Sequence, residues 1–207
     1  METFVPTLYE FPPARSQRAK WTLEELGLRY DSRVVNLVEG QHKTDDYRKV
    51  HPLGVVPAYK TDAYTLIESA AIVLQLIDEQ PTSKLAPAIG TAERAIYYQW
   101  CIFGPAELDG PLTVVTQNEL FLPVDQRDAT AAKRGRALFA PRAQMLSDAL
   151  QNRDYLLADG FSGADIVIGY NCFWATFTGL LNDFPVLQEY LARLQKRPAF
   201  QRAFPNP

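Results

Sequence analysis

Glu68 and Ser69 stand directly ahead of Ala70-Ala71-Ile72, the opening of a helical pattern that runs on through Val73, Leu74 and Ile77. A serine at that point is a good N-cap, which is a purely structural role. The same geometry also offers unbonded N–H groups, partial positive charge and a hydroxyl to a carboxylate, with an acidic side chain beside them for a cation. Gln41-His42-Lys43 follows Gly40 and reads as an exposed polar loop that carries two donors of positive sign. The chain has 2 histidines, neither beside a cysteine or the other histidine, so no metal site is expected. Arg15 and Ser16 precede the first helical pattern. Ser16 reads as an N-cap or first-turn residue, or as a hydroxyl donor to a bound group; Arg15 reads as a local positive charge or as a solvated side chain. Val56-Pro57 leads into a strand, and from sequence alone the bond is expected trans, since only ~5–6% of X–Pro bonds are cis.

The elements that must position these residues alternate in the first third of the chain. Val5–Glu10 reads as a strand broken by Pro12-Pro13. A helix follows with Ala19, Leu23 and Leu26 on one face and Gly27 as its stop. Tyr30–Val35 is a second strand and Asp45–Val50 a short helix. Ala58–Lys60 and Tyr64–Ile67 flank Thr61-Asp62-Ala63 as a hairpin, and a helix opens at Ser69. This order makes a small α/β layer. Beyond residue 80 the strand signals fade. Residues 1–82 are expected to form one domain, 83–90 a linker and 91–207 an all-helical domain. Thr91–Leu108 is apolar on several sides and must bury more than one face. Asp109-Gly110-Pro111 should kink or end it. Asp128–Leu150 and Phe184–Gln195 are amphipathic helices, and Ser162-Gly163-Ala164-Asp165 is a variant capping box with a structural role.

Composition excludes several classes. The chain of 207 residues carries 21 basic and 24 acidic side chains, net −3, so a nucleic-acid or anionic-membrane surface is not expected. Its 2 cysteines, Cys101 and Cys172, cannot form a disulfide framework. The opening Met1-Glu2-Thr3-Phe4-Val5-Pro6 has no basic and apolar leader pattern, and Ile166–Leu181 falls short of the ~20 residues a membrane span needs. A cytoplasmic protein with reduced thiols is expected.

Set together, these segments resemble the glutathione S-transferase family, in its theta-like or bacterial, serine-class form. The matching stretches are Leu8-Tyr9, the run from Arg18 to Leu28, Glu39-Gly40-Gln41-His42-Lys43, His51-Pro52-Leu53-Gly54-Val55-Val56-Pro57-Ala58, Glu68-Ser69-Ala70-Ala71-Ile72 and Ser162–Asp165. They span nearly the whole chain in the family's order. The resemblance implies a thioredoxin-like N-terminal domain, an all-helical C-terminal domain and a homodimer. It reverses the expectation at Val56-Pro57 to cis, with the Val56 N–H and C=O turned toward the cysteine of glutathione. It implies that Ser69 holds the γ-glutamyl carboxylate, Glu68 pairs with the α-ammonium, and His42 and Lys43 hold the glycine carboxylate. Glutathione is then a co-substrate, with no other cofactor.

The resemblance weakens at the catalytic position. A free thiol near pKa 8.5 is only a few per cent thiolate at neutral pH, and lowering that value by two units needs about 2.7 kcal/mol. A helix N-terminus supplies roughly 0.3–2 kcal/mol, and a hydroxyl donated to the thiolate about 1.5–3 kcal/mol. The family's serine position, four before Arg18, is Ala14, and the tyrosine position is Pro12. Tyr9 is too early, and the first domain has no cysteine. Ser16 is therefore expected to donate to the sulfur, with Arg15 as its competitor. A hydrophobic electrophile would sit between the domains, near the Pro12–Arg15 loop and the helix of Tyr97, Tyr98, Trp100 and Phe103, although that stripe also reads as core or dimer contact. The implied reaction is conjugation of glutathione, or a related reduction or isomerisation. The competing expectation, favoured by Ala14, is a binding or assembly module without transferase activity.

Overall fold

The computed structural model describes residues 4–204. Met1-Glu2-Thr3 and the expected outer boundaries at 1 and 207 lie outside the described residues. The first unit opens with β1 (Thr7–Glu10), α1 (Ser16–Leu26), β2 (Asp31–Val34) and the short α2 (Asp45–Arg48). It continues with β3 (Ala58–Lys60), β4 (Thr65–Ile67) and α3 (Ser69–Asp78). The sheet order is β2-β1-β3-β4, with β1 parallel to β2 and antiparallel to β3. This is the thioredoxin-like arrangement that the resemblance implies.

Alternation along the strands separates two cores. Leu8 and Tyr59 meet Ala19 and Leu23 of α1 and Ile72 and Leu76 of α3 on one face. Tyr9 and Ala58 meet Tyr47 of α2, Val35 and Val56 on the other. Gly27 ends α1 at φ 63°, a left-handed conformation that costs a glycine nothing.

The second unit runs from Leu85 to Lys196. It holds α4 (Ala92–Phe103), α5 (Asp109–Thr116), α6 (Ala129–Leu150), α7 (Gly163–Thr176) and α8 (Pro185–Gln195). The helix does not end at Asp109-Gly110-Pro111. A π-helical turn, Gly104–Leu108, leads straight into α5, and the helix runs on through Pro111. Asp165 is fully buried and gathers the Ser162 N–H (2.9 Å), the Leu156 N–H (3.0 Å) and the Tyr190 hydroxyl (2.9 Å). Tyr97 and Trp100 are buried within this unit, whereas Tyr98 is exposed beneath the Arg94 guanidinium.

One correction concerns the end of the chain. The last helix, α9 (Pro198–Ala203), belongs to the first unit and not to the helical domain expected over 91–207. Phe200 meets Trp21 of α1 edge-on at 4.9 Å, and the Gln17 amide donates to the Ala203 carbonyl at 2.6 Å. Arg197 binds Glu25 through two nitrogens at 2.6 and 2.8 Å. The boundary between the units falls at Lys84/Leu85, inside the expected linker. Among the described residues no helix is long and apolar enough to cross a membrane.

Candidate functional site

Strand register brings the candidate residues to one edge of the sheet. Tyr9 pairs with Ala58, and Ala58 with Ile67. The loop leaving β1 (Phe11–Arg15), Pro57 entering β3, and Glu68 leaving β4 therefore emerge side by side. All belong to the first unit.

At this edge α3 begins in an unusual way. The N-cap position belongs to Glu68, not Ser69, and Glu68 adopts φ 71°, ψ 111° with no capping hydrogen bond. A non-glycine residue held there costs of order 1–3 kcal/mol, and such strain concentrates at functional sites. Its carboxylate is exposed. Ser69 is the first helical residue and is buried. Its oxygen accepts from Nη1 of Arg18 at 3.1 Å, and Arg18 is itself fully buried. With that oxygen accepting, the hydroxyl hydrogen of Ser69 is left for an acceptor from outside, and the guanidinium adds positive charge beside the helix N-terminus.

The Val55-Val56-Pro57 loop is pinned from two sides. The Tyr47 hydroxyl donates to the Val55 carbonyl at 2.8 Å, and burial pushes that hydroxyl's pKa up to about 12, so it stays a donor. Gly54 sits at φ 60°, and a Cβ there would lie 2.5 Å from the His42 carbonyl oxygen. Only glycine allows this approach, which ties the Val55-Val56-Pro57 loop to the Gln41–Lys43 turn. The Val56–Pro57 bond is cis, as the family resemblance implies. Neither the N–H nor the C=O of Val56 joins a hydrogen bond among the described residues. Gln41–Lys43 forms a short 3-10 turn after Gly40, and Thr44 then caps α2. Lys43 is exposed, and Nδ1 of His42 is buried without a partner among the described residues. His51, in the same loop, is 2% exposed, and burial holds its pKa below the usual histidine range against the opposing charge of Glu68.

The start of α1 departs from expectation. Ser16 has no exposed surface. Its oxygen accepts the Phe11 N–H at 3.1 Å and its hydroxyl donates to the Phe11 carbonyl at 3.3 Å. That pair closes the Phe11–Ser16 loop and spends the hydrogen that a sulfur would need, so the expected thiolate donor is here a loop clasp. Ala14 lies half-buried against the Tyr9 and Val56 core and has no donor. Arg15, half-buried, holds the N-cap position of α1 with helical dihedrals and no side-chain cap. Arg18, Tyr47 and Gly54 act here as positioning residues that the sequence reading assigned no role. The signals were an arginine inside the first turns of an apolar helix and a glycine just ahead of Val-Val-Pro.

Residues 8–84 match the family model for the glutathione S-transferase N-terminal domain. The bacterial glutathione S-transferase BphK, solved as a ternary complex, is 31% identical to the chain. That match covers 96% of this chain and 97% of BphK at a TM-score of 0.85. The chain belongs to the glutathione S-transferase family. A glutathione transferase from Burkholderia graminis, solved with two glutathione molecules per subunit, is 26% identical, with coverage of 98% and 88% and a TM-score of 0.87. The glutathione S-transferase GstA of Escherichia coli O157:H7 is 27% identical over 95% of this chain and 96% of its own. The chain is thus a glutathione transferase enzyme, and the helical region completes a glutathione S-transferase fold.

Proposed function

We propose that the enzyme binds glutathione along this edge and transfers its thiolate to a hydrophobic electrophile. The observation that carries the reading is the Arg18–Ser69 pair at the start of α3, which leaves a hydroxyl hydrogen and free helix N–H groups for the γ-glutamyl carboxylate. Glu68 takes the α-ammonium, the Val56 backbone takes the cysteinyl amide, and His42 with Lys43 takes the glycine carboxylate. The unpartnered Nδ1 of His42 and the unengaged Val56 amide support those two assignments. The glutathione bound by the Burkholderia graminis transferase supports the class of ligand.

Ionisation of the sulfur requires about 2.7 kcal/mol of thiolate preference for a two-unit shift. The N-terminus of α1 contributes roughly 0.3–2 kcal/mol, and one charge-assisted bond from Arg15 about 1.5–3 kcal/mol. These sums reach the requirement without a hydroxyl, so Arg15 takes the role expected of Ser16. In the reaction the thiol proton passes to solvent, the sulfur lone pair forms a bond to the electrophilic carbon, and the leaving group departs with its electron pair. A homodimer with a two-fold interface, in the cytoplasm, belongs to the same reading.

A rise in melting temperature with millimolar glutathione, followed by turnover of an aryl halide in a panel that includes peroxides and mixed disulfides, is the expected result. An unmoved melting transition contradicts the binding reading. Turnover of peroxides or disulfides alone contradicts conjugation.

A further inference from the structure

A cavity of about 390 Å³ lies in the first unit, between α2 and the β1–β2 half of the sheet, within the roughly 300–1,000 Å³ of small-molecule sites. Tyr9 of β1 and Arg33 of β2 both line it. They are register partners, so their side chains leave the same face of the sheet, and the Arg33 guanidinium lies 5.6 Å from the centre of the Tyr9 ring. Val35, Thr44, Tyr47 and Val50 add to the lining. The glutathione candidates His42, Lys43, Val56, Glu68 and Ser69 do not.

Most polar groups of this lining are already engaged. The Tyr47 hydroxyl donates to the Val55 carbonyl, and Thr44 donates to the Gln41 carbonyl at 2.9 Å and accepts the Tyr47 N–H at 3.3 Å. The Gln41 side-chain oxygen accepts the Asn36 N–H at 3.0 Å, and Asp46 pairs with Lys49 at 2.7 Å. Two groups stand apart. Tyr9 is 7% exposed, and its hydroxyl, which solvent still reaches, has no hydrogen bond among the described residues. Arg33 has no hydrogen bond or ion pair among the described residues. A buried phenol beside an uncompensated guanidinium makes a pair of donors that lacks an acceptor.

The acceptor that serves both is a phosphate monoester. A guanidinium fork takes two oxygens in one plane, which uses both oxygens of a carboxylate. A phosphate monoester keeps a third terminal oxygen for the Tyr9 hydroxyl. The cavity also has room for a body beyond the phosphate. The oxygens of Tyr47 and Thr44 can each accept one more hydrogen bond, which suits hydroxyl groups on that body and not an alkyl chain.

We propose that this cavity binds the phosphate ester of a small polyol, of sugar-phosphate size. The phosphate sits on Arg33 and the Tyr9 hydroxyl, and the body lies against Thr44 and Tyr47. The site is separate from the glutathione edge and does not depend on the reading given for that edge.

The test titrates ribose 5-phosphate, inorganic phosphate, ribose and succinate into the full chain at low ionic strength. Calorimetry reads affinity, and amide chemical shifts read the place. Ribose 5-phosphate should bind once per chain, about tenfold or more tighter than any of the other three. Its shifts should centre on Tyr9, Arg33 and residues 44–50. Arg33→Gln keeps the side-chain length and removes the charge, and should weaken binding about ten- to a hundredfold. Tyr9→Phe keeps the ring and removes one oxygen, and should weaken it about tenfold. Arg33→Lys should recover part of the affinity, since it restores the charge without the fork. No ribose 5-phosphate binding at millimolar concentration overturns the proposal, and so does undiminished affinity in Arg33→Gln. Succinate bound equally well would refute the phosphate assignment. Shifts centred on Val56 and Glu68 would place the phosphate at the glutathione edge and overturn the separate site.

Discussion

Ser69 opens α3 and Ser16 opens α1, both are buried, and both lie at the same edge of the sheet. Their neighbours give them opposite availability. At α3 the Arg18 guanidinium supplies the donor, so Ser69 keeps its hydrogen. At α1 the Phe11 backbone supplies both a donor and an acceptor, and Ser16 is consumed on both sides. A hydroxyl's chemistry is therefore set by which half of its hydrogen-bonding capacity the fold has already used. The residue type and its place in the first turn do not decide it.

The sharpest way to break this comparison is Ser69→Ala. Loss of a charge-assisted hydrogen bond worth about 1.5–3 kcal/mol should weaken glutathione binding by roughly ten- to a hundredfold. Titration calorimetry reads it directly, and an unchanged affinity would move the carboxylate site elsewhere. Gly54→Ala should come next, because it meets both a positive φ and the His42 carbonyl. A loss of about 1–3 kcal/mol in urea unfolding is expected, with a weaker grip on glutathione's glycine end. Ser16→Ala unclasps the Phe11 loop and should cost about 1–2 kcal/mol while glutathione affinity stays near wild type.

The smallest effect is a pH slope. Burial lowers the folded-state pKa of His51, so the unfolded chain binds more protons in the window below the ordinary histidine value of 6.5. Stability from this group is complete above that pH and is lost as pH falls through the window. His51→Asn should flatten the decline in urea midpoint on acidification. A slope equal to wild type would mean that another group carries it.

Much of this site was legible before the structure. The helical pattern after Glu68-Ser69, the hairpin around Thr61-Asp62-Ala63 and the stop at Gly27 follow from local periodicity and turn chemistry, and each lies where expected within a residue or two. The left-handed Glu68 was not legible, since the sheet edge and α3 force on a glutamate a conformation its own preferences disfavour. The partner of Ser69 is 51 residues away in sequence and becomes visible only once α1 and α3 share a face of the sheet. The placement of α9 was hidden for a similar reason. Ala199, Phe200 and Ala203 have helical spacing that suits any apolar surface, and it is Trp21 together with the Glu24 and Glu25 pairs that selects α1. The Ser16 clasp was not legible because its partner is backbone, which no side-chain pattern announces.

The ionisation of bound glutathione tests the account most directly. Thiolate absorbance of the enzyme–glutathione complex is titrated with pH in the wild type, Arg15→Ala and Ser16→Ala. A thiol pKa raised by about one to two units is expected in Arg15→Ala, matching about 1.5–3 kcal/mol of lost stabilisation, and an unmoved value in Ser16→Ala. A raised pKa in Ser16→Ala with Arg15→Ala unchanged would return the donor role to the serine and contradict the assignment of Arg15.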